Sequence, residues 1–446
     1  VKLRDKSEFR KVSYDWIGEI PNDWSVFPLK SLCSNQDAVF TDGDWIESDD
    51  IESDGTIRYL TSGNVGPGIY KDQGASFITE QKFKELNCTE VLPGDILISR
   101  LNLPVGRACI VPAFDSKIVT CVDNVIFRPN STISRKFITY LLSADHHFAN
   151  TKNLARGTTM QRISGSSLGK IRFAIPNLSE QEKIANFLDR ETAKIDKLIQ
   201  KQEKLIELLE EKRKTTIINA TTKGLDKKIE IKQTECFWIS NIPKHWEVLT
   251  VRKISDGVKT GGTPKEFTPN SDVIDGVDWF TPGDFSFDIN LMPSSKKVQA
   301  AAIKSGEIKL FPAKSVLFVG IGATIGKVGI TGYACSANQQ INAIIPNEKI
   351  NPRFLALSLS VQTDAIKFLS NSSTIGIINQ EKTKEIPVAV PPLSEQNEIV
   401  TFLEEKLKLF DKLVEKSTLS IELLKERRAS LISAAVTGKI DVREKV

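Results

Sequence analysis

Residues 175–184 read Ile175-Pro-Asn-Leu-Ser-Glu-Gln-Glu-Lys-Ile184, and residues 390–399 read Val390-Pro-Pro-Leu-Ser-Glu-Gln-Asn-Glu-Ile399. The likeness runs on through Phe187-Leu188 and Phe402-Leu403, Asp196-Lys-Leu198 and Asp411-Lys-Leu413, and Ile206-Glu-Leu-Leu209 and Ile421-Glu-Leu-Leu424. It closes at Gly224 and Gly438 after a slip of one residue. Upstream, Ile17-Gly-Glu-Ile-Pro21-Asn-Asp-Trp24 returns as Ile239-Ser-Asn-Ile-Pro243-Lys-His-Trp246. Trp24 stands 155 residues before Ser179 and Trp246 stands 148 before Ser394, with strongly diverged sequence between the marks. A long-period repeat decides the architecture before any single motif does. The chain is a tandem duplication: variable segment, helix, variable segment, helix.

The repeated part reads as helix. Ser179 and Glu182 have the spacing of a capping box, while the second copy keeps Ser394 but carries Asn397 at the fourth position. Ile184, Leu188, Ile195, Leu198, Leu205 and Leu209 recur at steps near those of a coiled-coil seam. The second copy offers Ile399, Leu403, Phe410, Leu413 and Leu424, with Ser420 interrupting. Gly224 and Gly438 stand where each helix should stop. A rod of about 40 residues is roughly 60 Å long and must bury its apolar stripe. Its own copy is the nearest partner, which predicts an antiparallel coiled coil holding the variable segments apart. The expected fold class is therefore α+β, a pseudo-two-fold tandem repeat of two mixed α/β domains separated by two long helices. The expected boundaries are 1–178 and 227–391 for the domains, and 179–226 and 392–446 for the helical spacers. Inside the domains, Val91–Ser99, Ile118–Phe127, Val316–Val319 and Ile341–Ile345 read as buried strands, and the surroundings of Leu141 and Leu355 as helix.

Composition bounds the function. The 446 residues are 40% apolar and 26% charged, the profile of an ordinary globular protein. No apolar run reaches the roughly 18 to 20 residues of a membrane span. Val1-Lys2-Leu3-Arg4-Asp5-Lys6 lacks the apolar core of a secretion signal, so a cytoplasmic location is expected. Sixty Lys and Arg against 56 Asp and Glu leave a net charge of +4, which neither marks nor excludes a nucleic-acid partner. Six cysteines without a CxxC read as scattered thiols, and three histidines supply no zinc ligand set.

Catalytic motifs fail on spacing. In Gly320-Ile-Gly322-Ala-Thr-Ile-Gly326-Lys327 the first glycine of a phosphate loop would fall on Ile321, and the required Ser/Thr after Lys is Val328. The dinucleotide pattern fails too, because its third glycine comes one residue late; a tight turn between strands fits better. An adenine methyltransferase needs an Asn/Asp-Pro-Pro-aromatic turn, whereas Pro391-Pro392 is followed by Leu393. Asp284, Glu307 and Lys309 are the nearest approach to a metal-dependent nuclease, and they read as a chance match. Polar readers fit better. Arg100, Asn102 and Arg107 flank a strand, and Arg156-Gly-Thr-Thr-Met-Gln161-Arg162 is a loop of donors. Thr260-Gly-Gly-Thr263-Pro-Lys265, Asn338-Gln339-Gln340 and Ser372-Ser373-Thr374 do the same for the second insert. Arg grips guanine edges, Asn and Gln pair with adenine, and hydroxyls or amides hold phosphates.

The ordered double set resembles the specificity subunit of type I restriction-modification systems over essentially the whole chain. The two Ile-Pro-x-x-Trp marks, the two Leu-Ser-Glu-Gln helix openings and the endings Asn219-Ala-Thr-Thr-Lys-Gly224 and Ala434-Ala-Val-Thr-Gly438-Lys-Ile-Asp441 carry it. Trp279-Phe-Thr-Pro-Gly-Asp284, Gly322-Ala-Thr-Ile-Gly-Lys327, Pro93-Gly-Asp-Ile-Leu97 and Gly157-Thr-Thr159 look like that family's target-recognition domains. Arg58-Tyr-Leu-Thr-Ser-Gly-Asn64 replaces the usual tryptophan-containing form, and Gly106-Arg107 lacks a preceding Gly-Ala-Thr-Ile. The resemblance implies a non-catalytic reader of double-stranded DNA, one domain per half of a split, asymmetric target, with the helices setting the gap. Two methyltransferase subunits would dock on the helices and motor-nuclease subunits would join for cleavage. S-adenosylmethionine, ATP and magnesium would belong to those partners, and no cofactor to this chain. The candidate DNA contacts are Arg58, Arg100, Asn102, Arg107, Arg156, Thr158, Gln161 and Arg162 in the first domain. In the second they are Thr260, Thr263, Lys265, Lys327, Asn338, Gln339 and Ser373. The rival from another class is a coiled-coil adaptor joining two proteins without touching DNA.

Overall fold

The repeat in sequence is a repeat in strand order. The computed structural model describes residues 2–14, 16–34, 38–264, 276–286, 288–322, 324–362, 366 and 376–443. The chain divides into two units, Val1–Gln202 with Leu419–Val446, and Glu203–Thr418. Each unit thus contains one variable domain, the opening half of its own long helix and the closing half of the other copy's helix.

In the first unit an antiparallel sheet runs in the order Val39–Asp42, Asn124–Arg128, Ile96–Ser99, Ala108–Ile110. Beside it, Ile57–Leu60 pairs antiparallel with Ser76–Ile78 and parallel with Ile118–Thr120. The second unit repeats this plan. Its antiparallel sheet runs Ser255–Thr260, Ile341–Pro346, Val316–Val319, Val328–Ile330. Gly276–Phe280 pairs antiparallel with Lys297–Gln299 and parallel with Ser336–Ala337. The central strands Ile96–Ser99 and Val316–Val319 are buried on both faces, which explains their unbroken apolar runs. The expected Ile118–Phe127 strand is two strands, parted by a turn at Cys121–Asp123. Helices Arg135–Leu141 and Pro352–Ser360 stand where helix was expected.

The two long helices are Leu178–Lys223 and Leu393–Val436, 46 and 44 residues. Their starts differ from the expected capping box. In the first, Asn177 accepts from the Glu180 amide through its side chain (3.0 Å), so the cap lies two residues before Ser179. Ser394 and Glu182 are exposed, and neither forms a capping bond. The buried residue of each opening is the glutamine. Gln181 accepts from the Ser134 amide (2.8 Å) and donates to the carbonyls of Thr132 and Pro176. Gln396 accepts from the Asn351 amide (2.6 Å) and donates to Lys349 and Pro391. One amide side chain therefore ties each long helix to the cap of the preceding short helix.

Within each unit the helices run antiparallel, and most of the expected seam lies inward, but Leu198, Leu205 and Leu413 do not belong to it. Leu198 and Leu205 are 48% and 42% exposed. The inward positions are Leu188, Thr192, Ile195, Ile199, Gln202, Ile206, Leu209, Arg213, Ile217 and Ala220. A constant step of 215 residues maps them onto Leu403, Leu407, Phe410, Val414, Ser417, Ile421, Leu424, Arg428, Ile432 and Ala435, which also face inward. Steps alternating between three and four define a coiled-coil seam. The same step relates the ion pair Asp196–Arg428 of the first unit (2.9 Å) to Asp411–Arg213 of the second.

The helix ends lock onto the tryptophans. Trp24 and Trp246 are buried, and Gly438 and Gly224 both have φ of +74°. A Cβ on Gly438 would lie 2.5 Å from Pro21 Cγ and 3.0 Å from Trp24 Cζ2; one on Gly224 would meet the Glu395 carboxylate at 3.1 Å and Trp246 at 3.3 Å. Each Ile-Pro-x-x-Trp mark therefore packs on the closing glycine of the other copy's helix. Left-handed backbone alone costs a non-glycine residue about 1–2 kcal/mol. Gly438→Ala is expected to lose more than this, because Pro21 is fixed in a strand. Gly224→Ala is expected to lose less, since the Glu395 side chain can move. Urea unfolding of the two variants measures the difference, and equal losses would contradict this account.

Candidate nucleic-acid interface

Polar loops cluster at the same place in both domains. In the first, Leu101–Arg107 joins strands Ile96–Ser99 and Ala108–Ile110, and its neighbour is the hairpin Arg156–Arg162. The Asn102 amide donates to Gln161 (2.9 Å), and Arg156 and Arg162 exchange two backbone bonds of 2.9 Å. Arg100, Asn102, Arg107, Arg156, Thr158, Gln161 and Arg162 are thus brought into one region. Arg58 is placed apart, in the three-stranded sheet, where it pairs with Asp72 (3.3 Å) and lies 4.3 Å over the Phe114 ring.

The gathered residues differ in availability. Arg107 is buried and donates to the carbonyls of Val65 (2.7 Å), Leu101, Asn102 and Ser62 (each 2.9 Å). Arg100 is buried as well, donating to the Val122 carbonyl and pairing with Asp42 (3.3 Å). Burial lowers the pKa of both guanidiniums below the ordinary arginine value. Arg162 is exposed and pairs with Asp123 (2.9 Å), while Asn102, Arg156 and Thr158 face solvent. Asn102 has φ of +59°, a left-handed conformation that asparagine tolerates better than most residues.

In the second domain, residues 320–322 and 324–327 lie between antiparallel strands Val316–Val319 and Val328–Ile330. Lys327 donates to the Phe285 carbonyl (2.9 Å), as Arg107 does to Val65. Thr263 bonds to Gln339, and Asn338 donates to Gln340 (3.0 Å), so Thr263 is joined to the turn that holds residues 338–340. Thr260 donates instead to buried Asn342 (2.7 Å), which itself reaches Ile378 and Thr383. Lys265 and Ser373 lie outside the described residues.

Several residues that hold these loops were not among the candidate contacts. Thr61 and Asn64 close a capping box, and Thr281 and Asp284 close its counterpart. Asp284, the carboxylate of the nuclease alternative, thereby accepts from the Thr281 amide (2.7 Å) and hydroxyl (2.8 Å). The shared pattern Thr-x-Gly-Asn/Asp was a legible signal. Helix Asp145–Leu154 backs the first loop: His147 bonds the Gly106 carbonyl (3.1 Å) and Thr151 donates to Val105 (2.6 Å). One histidine of the pair His146-His147 in a variable segment gave no such signal.

Comparison with known proteins finds the same repeat. The family described as type I restriction modification DNA specificity domain matches residues 21–208 and 243–423. The type I restriction enzyme MjaIX specificity subunit of Methanocaldococcus jannaschii is 24% identical, across 100% of this chain and 99% of that protein. A chain solved to explain complex assembly and conformational transition of the type I R-M system superposes with a TM-score of 0.72. Its identity is 15%, and the match covers 94% of this chain and 99% of that one. The HsdS subunit from Thermoanaerobacter tengcongensis gives 0.54 at 16% identity, covering 94% and 98%. These structural likenesses show a shared fold.

His147 makes the first loop sensitive to acid. Complete burial pulls its pKa down to about 4, and Nδ1 has no partner to receive a proton's charge. The unfolded chain takes up that proton near pH 6.5 and the folded one near 4, so protons favour unfolding throughout this window. Stability of the first domain is expected to fall as pH drops from about 6.5 to about 4, by about 3 kcal/mol at most. Urea titrations across this range should show a shallower slope in His147→Gln. An unchanged slope would remove His147 as the cause.

Proposed function

Because the chain belongs to the type I restriction-modification DNA specificity family, we propose that its two recognition domains read a bipartite, asymmetric duplex target, one half-site each. The chain is a specificity subunit, the non-catalytic member of its complex. Methyltransferase subunits dock on the paired helices, and motor-nuclease subunits join that complex. The recognition domains are bounded as 1–178 and 227–391, with 179–226 and 392–446 as spacers.

The observation that carries the reading is the repeated sheet with a different polar loop in each copy. Asn102, Arg156, Thr158 and Gln161 stand in one, Thr263 and Gln339 in the other, whereas Asn338 is buried and bonded to Gln340. A scaffold that keeps its strand order while changing its exposed donors suits two different base sequences. Arg156, Arg162 and the loop amides hold phosphates, which makes affinity salt-dependent, and the amide side chains address base edges. Arg100, Arg107 and Lys327 act as supports that fix the loops, since their donors are held by the protein's own carbonyls or by Asp42.

The decisive experiment maps adenine methylation in host DNA with and without this gene. Loss at one split, asymmetric motif is expected; an unchanged map in a host where the system is expressed would favour a protein adaptor. Arg156→Ala should weaken the half-site read by the first domain by about 1–3 kcal/mol and leave the second half-site alone. Equal loss at both would contradict independent readers. Inserting one heptad after Leu198 and one after Leu413 should lengthen the unread gap and keep both half-sites. Altered half-site sequences would rule out a spacer made by the helices.

A further inference from the structure

Two exposed apolar side chains stand at the tip of the first reading region. Met160 is 64% exposed and Leu103 is 56% exposed. Single exposed apolar residues are common and need no explanation. These two are not isolated. Leu101 pairs with Arg162 in an antiparallel bridge, and the Asn102 amide donates to the Gln161 carbonyl (2.9 Å). Leu103 and Met160 each lie one residue beyond that bond, so both stand at the same end of the paired segments.

That end stands on a fixed base. Arg107 ties down the carbonyls of Leu101 and Asn102, Thr151 holds Val105 and His147 holds Gly106. Arg156 and Arg162 close the hairpin behind Met160 with two backbone bonds. Around the apolar tip lie polar and cationic groups: Asn102, Thr158 and Arg156 are exposed, and Arg162 is exposed beside Asp123. An apolar tip ringed by phosphate-binding groups matches the chemistry of side chains that enter between stacked bases. Such wedges use Leu, Ile, Met or Phe, partly unstack one step, and are repaid by closer contact along the bent backbone.

We propose that Met160 and Leu103 form an apolar wedge that inserts at a base step of the first half-site and unstacks it. The inference rests on the DNA-reading function proposed above. It adds a specificity-determining element, because flexible pyrimidine–purine steps open more easily than stiff ones. The sequence at the wedged step is then selected by deformability and not by hydrogen bonds. The competing use of these side chains is contact with a thymine methyl in an unperturbed major groove.

The test uses the full-length chain assembled with its methyltransferase subunits on duplexes carrying 2-aminopurine at successive positions of the first half-site. Footprinting on the same duplexes first establishes sequence-dependent protection; its absence would defeat the reading function itself, separately from the wedge. With protection present, one position other than the methylated adenine is expected to brighten on binding. That signal should be lost in Met160→Ala/Leu103→Ala and return in Met160→Leu. Both residues are exposed, so their removal leaves the core intact, and flipping of the methylated adenine serves as an internal control. The wedge is overturned if no such position brightens, or if the double variant brightens equally. It is likewise overturned if replacing thymine by uracil reproduces the variant's loss of affinity with no unstacking signal.

Discussion

The contact on which the architecture depends is a tryptophan of one copy lying against the last glycine of the other copy's helix. Trp24 meets Gly438, and Trp246 meets Gly224. Neither copy could complete its core alone. The first core draws Ile432, Ala435 and Val436 from the end of the second helix, and the second draws Ile217 and Ala220 from the end of the first. Both glycines need a positive φ to turn the chain out of the helix, and both lack the Cβ that would displace the packed ring. The duplication is thereby made reciprocal. The opening glutamate is tied to the same place by different means. Glu395 accepts directly from the Trp246 indole (3.1 Å), whereas Glu180 pairs with Arg4, whose guanidinium lies 6.0 Å over the Trp24 ring.

Along the seam the helices are only partly apolar. Thr192 and Ser417 are buried in it, and Gln202, Arg213 and Arg428 also face inward. The pairs Asp196–Arg428 and Asp411–Arg213 are partly exposed and contribute about 0.2–1 kcal/mol each at most. A slip of one heptad would set Arg428 opposite Asp189 or Glu203, so these pairs alone do not fix the register. The closing glycines do, because the same slip would carry each about 10 Å from its tryptophan.

What was legible in the sequence follows from the same physics. The repeat, the long helices, the buried strands and the stopping glycines are set by local pattern and could be read directly. The seam could not, because two apolar tracks run along the first helix. Leu198 and Leu205 lie on one and Ile199 and Ile206 on the other, and only contact with the partner helix selects between them. Ser420, which seemed to interrupt the second stripe in sequence, is one residue from the inward Ile421 and interrupts nothing. The helix start was misplaced because Asn177 reaches the Glu180 amide before Ser179 can act. In the loops, residue type singled out side chains that the fold gathers into one region, but not their availability. Arg100 and Arg107 look like readers by chemistry, yet burial and carbonyl partners distinguish them from exposed Arg156, and no one-dimensional pattern encodes that difference.

Under the proposed function, that difference would let one scaffold serve unlike targets. The groups that fix each loop are bonded to backbone: Arg107 to five carbonyls, Lys327 to Phe285, and the Thr61–Asn64 and Thr281–Asp284 caps to their own turns. Backbone carbonyls are present whatever the side chains, so these supports survive changes at exposed positions. Asn102, Thr158 and Met160 in one domain, and Thr263 and Gln339 in the other, project outward from those supports. Substituting them changes few internal contacts, and surface changes of that kind alter stability by only about 0.5 kcal/mol. Stability and specificity thus reside on different atoms. A duplicated fold can then diverge in what it reads while the glycine–tryptophan contacts that close it stay the same.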